Sequence, residues 1–148
     1  MNLKIMGVTI DDIDEITELY METYKKEPWK ENWIKEIAKE KINDLIENNN
    51  AENYCIKYGT KIIGVMFGQR NYYIDKKELY IDEFFIEYNN QRKGVGKYFL
   101  DYIENNIKQR NYLNIVLLTK KAFPSELFYI KNGFHTSPNM ILMYKGIK

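Results

Sequence analysis

Gln91-Arg92-Lys93-Gly94-Val95-Gly96 stands directly ahead of a helical pattern, and no other stretch of this sequence is better suited to hold a charged ligand. Glycines at 94 and 96 remove Cβ atoms where a ligand approaches the backbone. The first amides of a helix that starts here have no intrahelical acceptor and are open to an anion. Arg92, Lys93 and Lys97 add positive charge, so phosphate or pyrophosphate is the natural ligand. The plainer alternative is a tight turn that merely starts a helix. Two common phosphate loops do not match. A Walker loop needs Gly where Gln91 stands and Ser or Thr where Tyr98 stands, and a dinucleotide fingerprint from Gly94 needs a third Gly where Phe99 stands.

A second chemical feature lies just upstream. Asp82 and Glu83 interrupt the apolar run Tyr80 to Tyr88, where an acid serves either as a proton acceptor and anchor for a cationic group or as one half of a salt bridge. Successive strand residues point to opposite faces, so only one of the two reaches a given face unless a bulge rotates the strand. Cys55 is the only cysteine and reads as a small core residue on an early strand, and His135 is the only histidine and reads as structural. With one of each, no intrachain disulfide forms and no metal site is expected.

The elements that position these residues follow from periodicity. Tyr80 to Tyr88 is rich in Ile, Phe and Tyr and reads as a central strand; Val95, Phe99, Leu100, Ile103 and Ile107 behind it fall on one helical stripe. Ahead of this unit, Lys4 to Ile10 reads as a first strand. Asp11 or Asp12 offers an N-cap, with Glu15 as the capping-box partner of Asp12, for a helix to about Tyr24, and a second helix runs from about Glu31 with Trp33, Ile34, Ile37, Ala38, Ile42, Leu45 and Ile46 along one stripe. Tyr54 to Tyr58 and Lys61 to Gly68 read as a hairpin, and Asn71 to Lys77 as a polar connection. Leu113 to Leu118 reads as a strand beside the central one, Pro124 to about Asn132 as a helix stopped by Gly133, and Phe134 to Thr136 and Met140 to Tyr144 as two closing strands.

At 148 residues the chain suits one domain, residues 1–148, with one core. A hydrophobic share of 45% with 29% charged residues is ordinary for a globular protein, and a net charge of +1 gives no electrostatic case for nucleic acid or an anionic membrane as partner. Met1 to Ile10 alternates polar and apolar residues without the apolar centre of a signal peptide, and no run approaches a membrane span, so a cytoplasmic location is expected.

The glycine loop matches the Q/R-x-x-G-x-G/A pyrophosphate loop of the GNAT acyltransferase superfamily, and Phe128-Tyr129-Ile130-Lys131-Asn132-Gly133-Phe134 matches that family's F-Y-x-K-x-G-F segment. The chain resembles a GNAT N-acetyltransferase over nearly its full length. The resemblance implies an α/β fold with a mixed, mostly antiparallel sheet, helices on both faces, and fourth and fifth strands splayed around the cofactor, here Leu79 to Tyr88 and Leu113 to Leu118. It implies acetyl-CoA as co-substrate and no metal. It assigns the backbone of Phe84, Phe85 and Ile86 to the pantetheine arm and thioester carbonyl, the amides from Arg92 to Lys97 with Gln91 to the pyrophosphate, and Tyr129 to protonation of the departing thiolate. A common family asparagine is absent, Ala122 standing in its place.

Ile81-Asp82-Glu83-Phe84-Phe85 is similar to the segment carrying the active-site aspartate in aminoglycoside 6′-N-acetyltransferases, which favours Asp82 as the acid that deprotonates and binds the amine, with Glu83 beside it. Pro28-Trp29 and Asn32-Trp33 resemble a region that lies over the acceptor cleft in bacterial members, making Trp29 and Trp33 candidate acceptor contacts; the alternative is that they pin the second helix to the core. The reaction expected is direct acetyl transfer in a ternary complex to a primary amine of a small molecule, of aminoglycoside or polyamine type. A protein N-terminus or lysine as acceptor, and a non-catalytic coenzyme A-binding sensor or interaction module, stay open. So does oligomeric state, a homodimer included.

Overall fold

The computed structural model describes residues 2–148. Two compact units divide the chain, the first ending at Leu118 and the second spanning Thr119–Lys148. The first contains a five-stranded sheet in the spatial order β1(Leu3–Gly7), β2(Tyr54–Tyr58), β3(Lys61–Tyr73), β4(Lys76–Ile86), β5(Tyr112–Leu117). All neighbouring pairs are antiparallel except β4 and β5, which are parallel. The parallel pair needs a crossover, and the glycine loop with α3(Val95–Ile107) supplies it.

The two faces of this sheet are covered by different helices because side chains alternate along each strand. On one face, Cys55, Ile62, Val65, Phe67 and Phe85 pack against Ile16, Leu19, Tyr20 and Tyr24 of α1(Ile13–Lys25) and Ala38 and Ile42 of α2(Lys35–Glu47). On the other, Ile56, Ile63, Met66, Leu79, Ile81 and Ile86 pack against Val95, Phe99, Ile103 and Ile107 of α3. Each fully buried Val, Leu, Ile, Phe or Met among them contributes about 1.5–3 kcal/mol relative to an exposed one. The backbone of β3 lies close under this second layer: a Cβ at Gly64 would come within 2.6 Å of Ile86 Cδ1 and 2.8 Å of Ile56 Cγ2.

The structure corrects several sequence expectations. The capping box is one turn earlier than Asp12 and Glu15: Asp12 Oδ2 accepts the backbone N–H of Thr9 at 2.9 Å, while Glu15 reaches across to accept the N–H of Ile62 at 2.8 Å. Helix α2 starts at Lys35, so Trp33 and Ile34 precede it, and Ile34 and Ile37 are exposed. The cis Glu27-Pro28 bond and the positive φ of Lys30 turn the chain between α1 and α2. Asn71 to Lys77 is no loose connection, since β3 and β4 form a long hairpin turning at Ile74 and Asp75.

In the second unit, α4(Pro124–Lys131) opens with proline at its first turn and ends at Gly133 with φ of 91°. The closing strands expected at Phe134 to Thr136 and Met140 to Tyr144 are absent among the described residues, and Met140 to Tyr144 is exposed. An apolar run becomes a strand only when a ladder partner takes up its amides and carbonyls, and none does so here. No helix among the described residues is long and apolar enough to cross a membrane.

Candidate functional site

The site begins with a register shift. Phe67 of β3 stands opposite Glu83 of β4 and Gly68 opposite Ile81, so Asp82 is an extra residue, a β-bulge. A bulge turns two consecutive side chains to one side. Glu83 reaches α1 and α2, accepting the Tyr24 hydroxyl on Oε1 at 3.0 Å and the Lys41 ammonium on Oε2 at 2.7 Å. Asp82 accepts both of its contacts from Gln69 Nε2, at 3.2 and 3.1 Å; Gln69 lies two residues along β3 from Phe67 and therefore on the same face. Burial pushes the Asp82 carboxyl above its usual value, against the opposing pull of the Gln69 amide and the Lys41 charge. It is the more basic for that.

The bulge coincides with the end of the β4 and β5 ladder. The last pair in register is Ile81 with Leu117, and from Asp82 to Ile86 strand β4 pairs only with β3. Glu87 donates its N–H to Ile63 O at 2.7 Å, so by alternation Phe85 bonds toward β3, while the N–H and C=O of Phe84 and Ile86 point to the open side. Of the Ile86 groups, the carbonyl accepts Gln91 Nε2 at 2.8 Å, which ties the glycine loop to the end of the strand. The Phe85 side chain is core, edge-on to Tyr20 and Tyr24. Phe84 stacks on Phe99 of α3.

The loop is shaped by two left-handed residues, Arg92 at φ 61° and Gly94 at φ 83°. No side chain caps α3, and the amides of Val95, Gly96 and Lys97 precede the first residue with an intrahelical carbonyl to reach. Arg92 and Lys93 are exposed, while Lys97 is paired with Asp101 at 2.6 Å, one turn along the helix. The result is a positively flanked helix start beside the part of β4 that has left its β5 ladder.

Above Glu83, aromatic rings form a wall. Trp33 donates Nε1–H to Glu31 at 3.0 Å and stands edge-on to Tyr20 at 5.2 Å, and Trp29 stands edge-on to Tyr24 at 5.3 Å. Both tryptophans therefore pack against α1, and Trp33 also lines an open depression with Glu31, Asn32, Ile34 and Ile37. Burial, and then the negative charges of Glu83 and Glu31, push the Tyr20 hydroxyl far above its usual value. Cys55 is fully buried and its thiol is pushed up to about 11, by burial first and then by the charge of Asp12, so it is no nucleophile.

Within the second unit, Tyr129 is buried and stands edge-on to Phe134 at 5.2 Å, its carbonyl accepting the Phe134 N–H. Ala122 takes a left-handed φ of 68° and donates its N–H to Glu126 Oε1 at 2.8 Å. His135 is exposed.

A family model described as an acetyltransferase (GNAT) domain matches residues 17–148. The chain belongs to the GNAT acetyltransferase family. No curated protein matches its sequence. Among solved structures, a possible acetyltransferase from Clostridium difficile 630 superposes with a TM-score of 0.86 at 16% identity, over 100% of both chains. A predicted acetyltransferase with acetyl-CoA from Clostridium acetobutylicum gives 0.76 at 18% identity, covering 97% of this chain and 96% of its own. The aminoglycoside acetyltransferase meta-AAC0020 from an uncultured soil metagenomic sample, in complex with sisomicin, gives 0.73 at 18% identity over 99% and 97%.

GNAT acetyltransferases use acetyl-CoA; in this chain β4 leaves its β5 ladder after Ile81, and no side chain caps the helix start behind Gly94. Sequence reasoning missed Gln69, Tyr24, Tyr20 and Lys41, the residues that hold the two acids. Their contacts with β4 join distant parts of the chain, and no spacing rule signals them.

Proposed function

We propose that this GNAT protein transfers acetyl from acetyl-CoA to a primary amine of a small molecule, with Asp82 taking the proton from the ammonium. One observation carries the reading: the sheet ladder opens at the bulge that turns Asp82 and Glu83 to one face. An acid there attracts a cationic amine, and the raised affinity of Asp82 for a proton suits a general base. The sisomicin complex of a structural relative supports a small polycationic acceptor.

Acetyl-CoA supplies an activated thioester, and the residues of this chain do the rest. Amides from Arg92 to Lys97, with Gln91 fixing the loop to Ile86, receive the pyrophosphate. Backbone groups of Phe84 and Ile86, on the side of β4 away from β3, align the pantetheine arm and polarise the carbonyl. Phe85 supports them from the core. Glu83 holds the aromatic wall and adds negative charge, Trp29 and Trp33 border the acceptor, and Tyr129, on the strength of its F-Y-x-K-x-G-F segment, gives a proton to the thiolate. The family match spans both compact units, which supports one acetyltransferase domain over the whole chain.

The test is release of coenzyme A thiol from acetyl-CoA with a panel of amines. Asp82→Asn should lower turnover with the best acceptor, and Tyr129→Phe should slow it while leaving acetyl-CoA affinity unchanged. If both variants keep the full rate, these roles are wrong. A better rate with an N-terminal peptide than with any diamine or aminoglycoside would make the acceptor a protein.

A further inference from the structure

The ammonium of Lys41 sits in a setting made for a cation. Its Nζ lies 2.7 Å from Glu83 Oε2, 5.3 Å from the centre of the Tyr20 ring and 5.1 Å from that of Trp33. Two aromatic faces and a carboxylate around one ammonium form the box that proteins use to recognise alkylammonium ligands. Each wall is itself fixed. Tyr24 holds the other oxygen of Glu83 at 3.0 Å, Glu31 holds the Trp33 indole at 3.0 Å, and Tyr20 is buried and edge-on to both Trp33 and Phe85. The Glu83 side chain is 14% exposed and that of Lys41 35%, so the box is enclosed while its occupant still reaches solvent along a flexible stem. Asp82, the next residue, stands on the same face, and its carboxyl feels the charge of Lys41.

We propose that this box is the ammonium subsite for the acceptor and that Lys41 is its resident occupant, displaced when a primary ammonium on a narrow, unbranched stem enters. This rests on the reading of Asp82 and Glu83 as the acceptor end of the site. A lysine that only neutralised Glu83 would need no aromatic walls, and its flexible stem lets the point-charge head swing out where a fixed Arg fork would stay on the carboxylate. Exchange of one ammonium for another keeps Glu83 paired throughout, so entry of the acceptor leaves no buried charge alone. The box thus selects primary alkylammonium groups, and Lys41 sets the concentration at which they enter. If Lys41 fills the box about nine-tenths of the time, its removal strengthens amine binding about tenfold.

The probe is cadaverine, 1,5-diaminopentane, whose end copies the lysine side chain, titrated calorimetrically and by tryptophan fluorescence, with 1-pentanol as the uncharged control. Lys41→Met should bind cadaverine about tenfold more tightly than wild type, and Glu83→Gln added to it should remove the gain. Lys41→Arg keeps the charge and the fold and should bind cadaverine several-fold more weakly than wild type. Equal affinity in wild type and Lys41→Arg, or no gain in Lys41→Met that melts cooperatively, would overturn the proposal, as would equal binding of 1-pentanol. A parallel titration with acetyl-CoA separates the two claims: cofactor binding without these cadaverine effects sinks the exchange alone, and cadaverine effects without cofactor binding sink the acetyltransferase reading.

Discussion

Asp82 and Glu83 are neighbours in sequence and lie on the same side of β4, because Asp82 is the bulged residue between the Phe67–Glu83 and Gly68–Ile81 pairs. A regular strand would send one of them under α3. The bulge instead puts both carboxylates toward α1 and α2, at the residue where β4 parts from β5.

Asp82→Asn should lower turnover by about 100-fold or more, the usual worth of a positioned general base. The pH profile of the wild type should rise through a carboxylate group above the ordinary aspartate range, because burial raises Asp82. The sign for stability is opposite to that for activity. A carboxyl raised in the folded state stabilises it fully only below its unfolded value, and that contribution is lost as pH rises through the folded one. At neutral pH, thermal melting of Asp82→Asn should therefore match or exceed wild type.

Gly94→Ala should weaken acetyl-CoA. Open space surrounds the position, so no clash arises, but φ of 83° costs a residue with a Cβ about 1–2 kcal/mol. Part of that cost appears as a lower melting temperature and part as a shifted loop, read by titration with acetyl-CoA. Gly64→Ala is the contrast. Its Cβ would press on Ile86 and Ile56, so about 1–3 kcal/mol of stability should be lost through overpacking, measured by urea unfolding.

Arg110→Met should destabilise the fold by about 2–4 kcal/mol in urea unfolding, since it strands a buried acid. Glu52 is 8% exposed and accepts Arg110 at 2.6 Å, with the Tyr112 hydroxyl on its other oxygen at 2.8 Å. Burial alone would raise its carboxyl, yet the bonds from Arg110, Tyr54 and Tyr112 outweigh it and hold the group below its usual value. A depressed acid stabilises the fold above its unfolded value of about 4.3, and that stability is lost as pH falls through the folded one. Wild type should lose stability on acidification across that window, and Arg110→Met should lose less.

Those elements whose signal is local were legible in the sequence. Val95, Phe99, Leu100, Ile103 and Ile107 declare α3 by spacing alone, and all five are buried. The glycine loop stands where its letters put it, between β4 and α3. What was hidden depends on distant partners. Nothing around Asp82 announces a bulge, which is set by the register against β3. Nothing in the α2 pattern marks Lys41 as the partner of a residue 42 positions away. Met140 to Tyr144 has the composition of a strand and is not one here, because composition cannot supply the second half of a ladder.

The most direct test is thermal melting of the wild-type protein with increasing acetyl-CoA. A ligand at about 100 times its dissociation constant adds about 2.7 kcal/mol, which for a chain of this size raises the midpoint by roughly 5–10 °C in a saturable way. The account predicts that rise, and its reduction in Gly94→Ala. A midpoint that does not move at millimolar acetyl-CoA would contradict it.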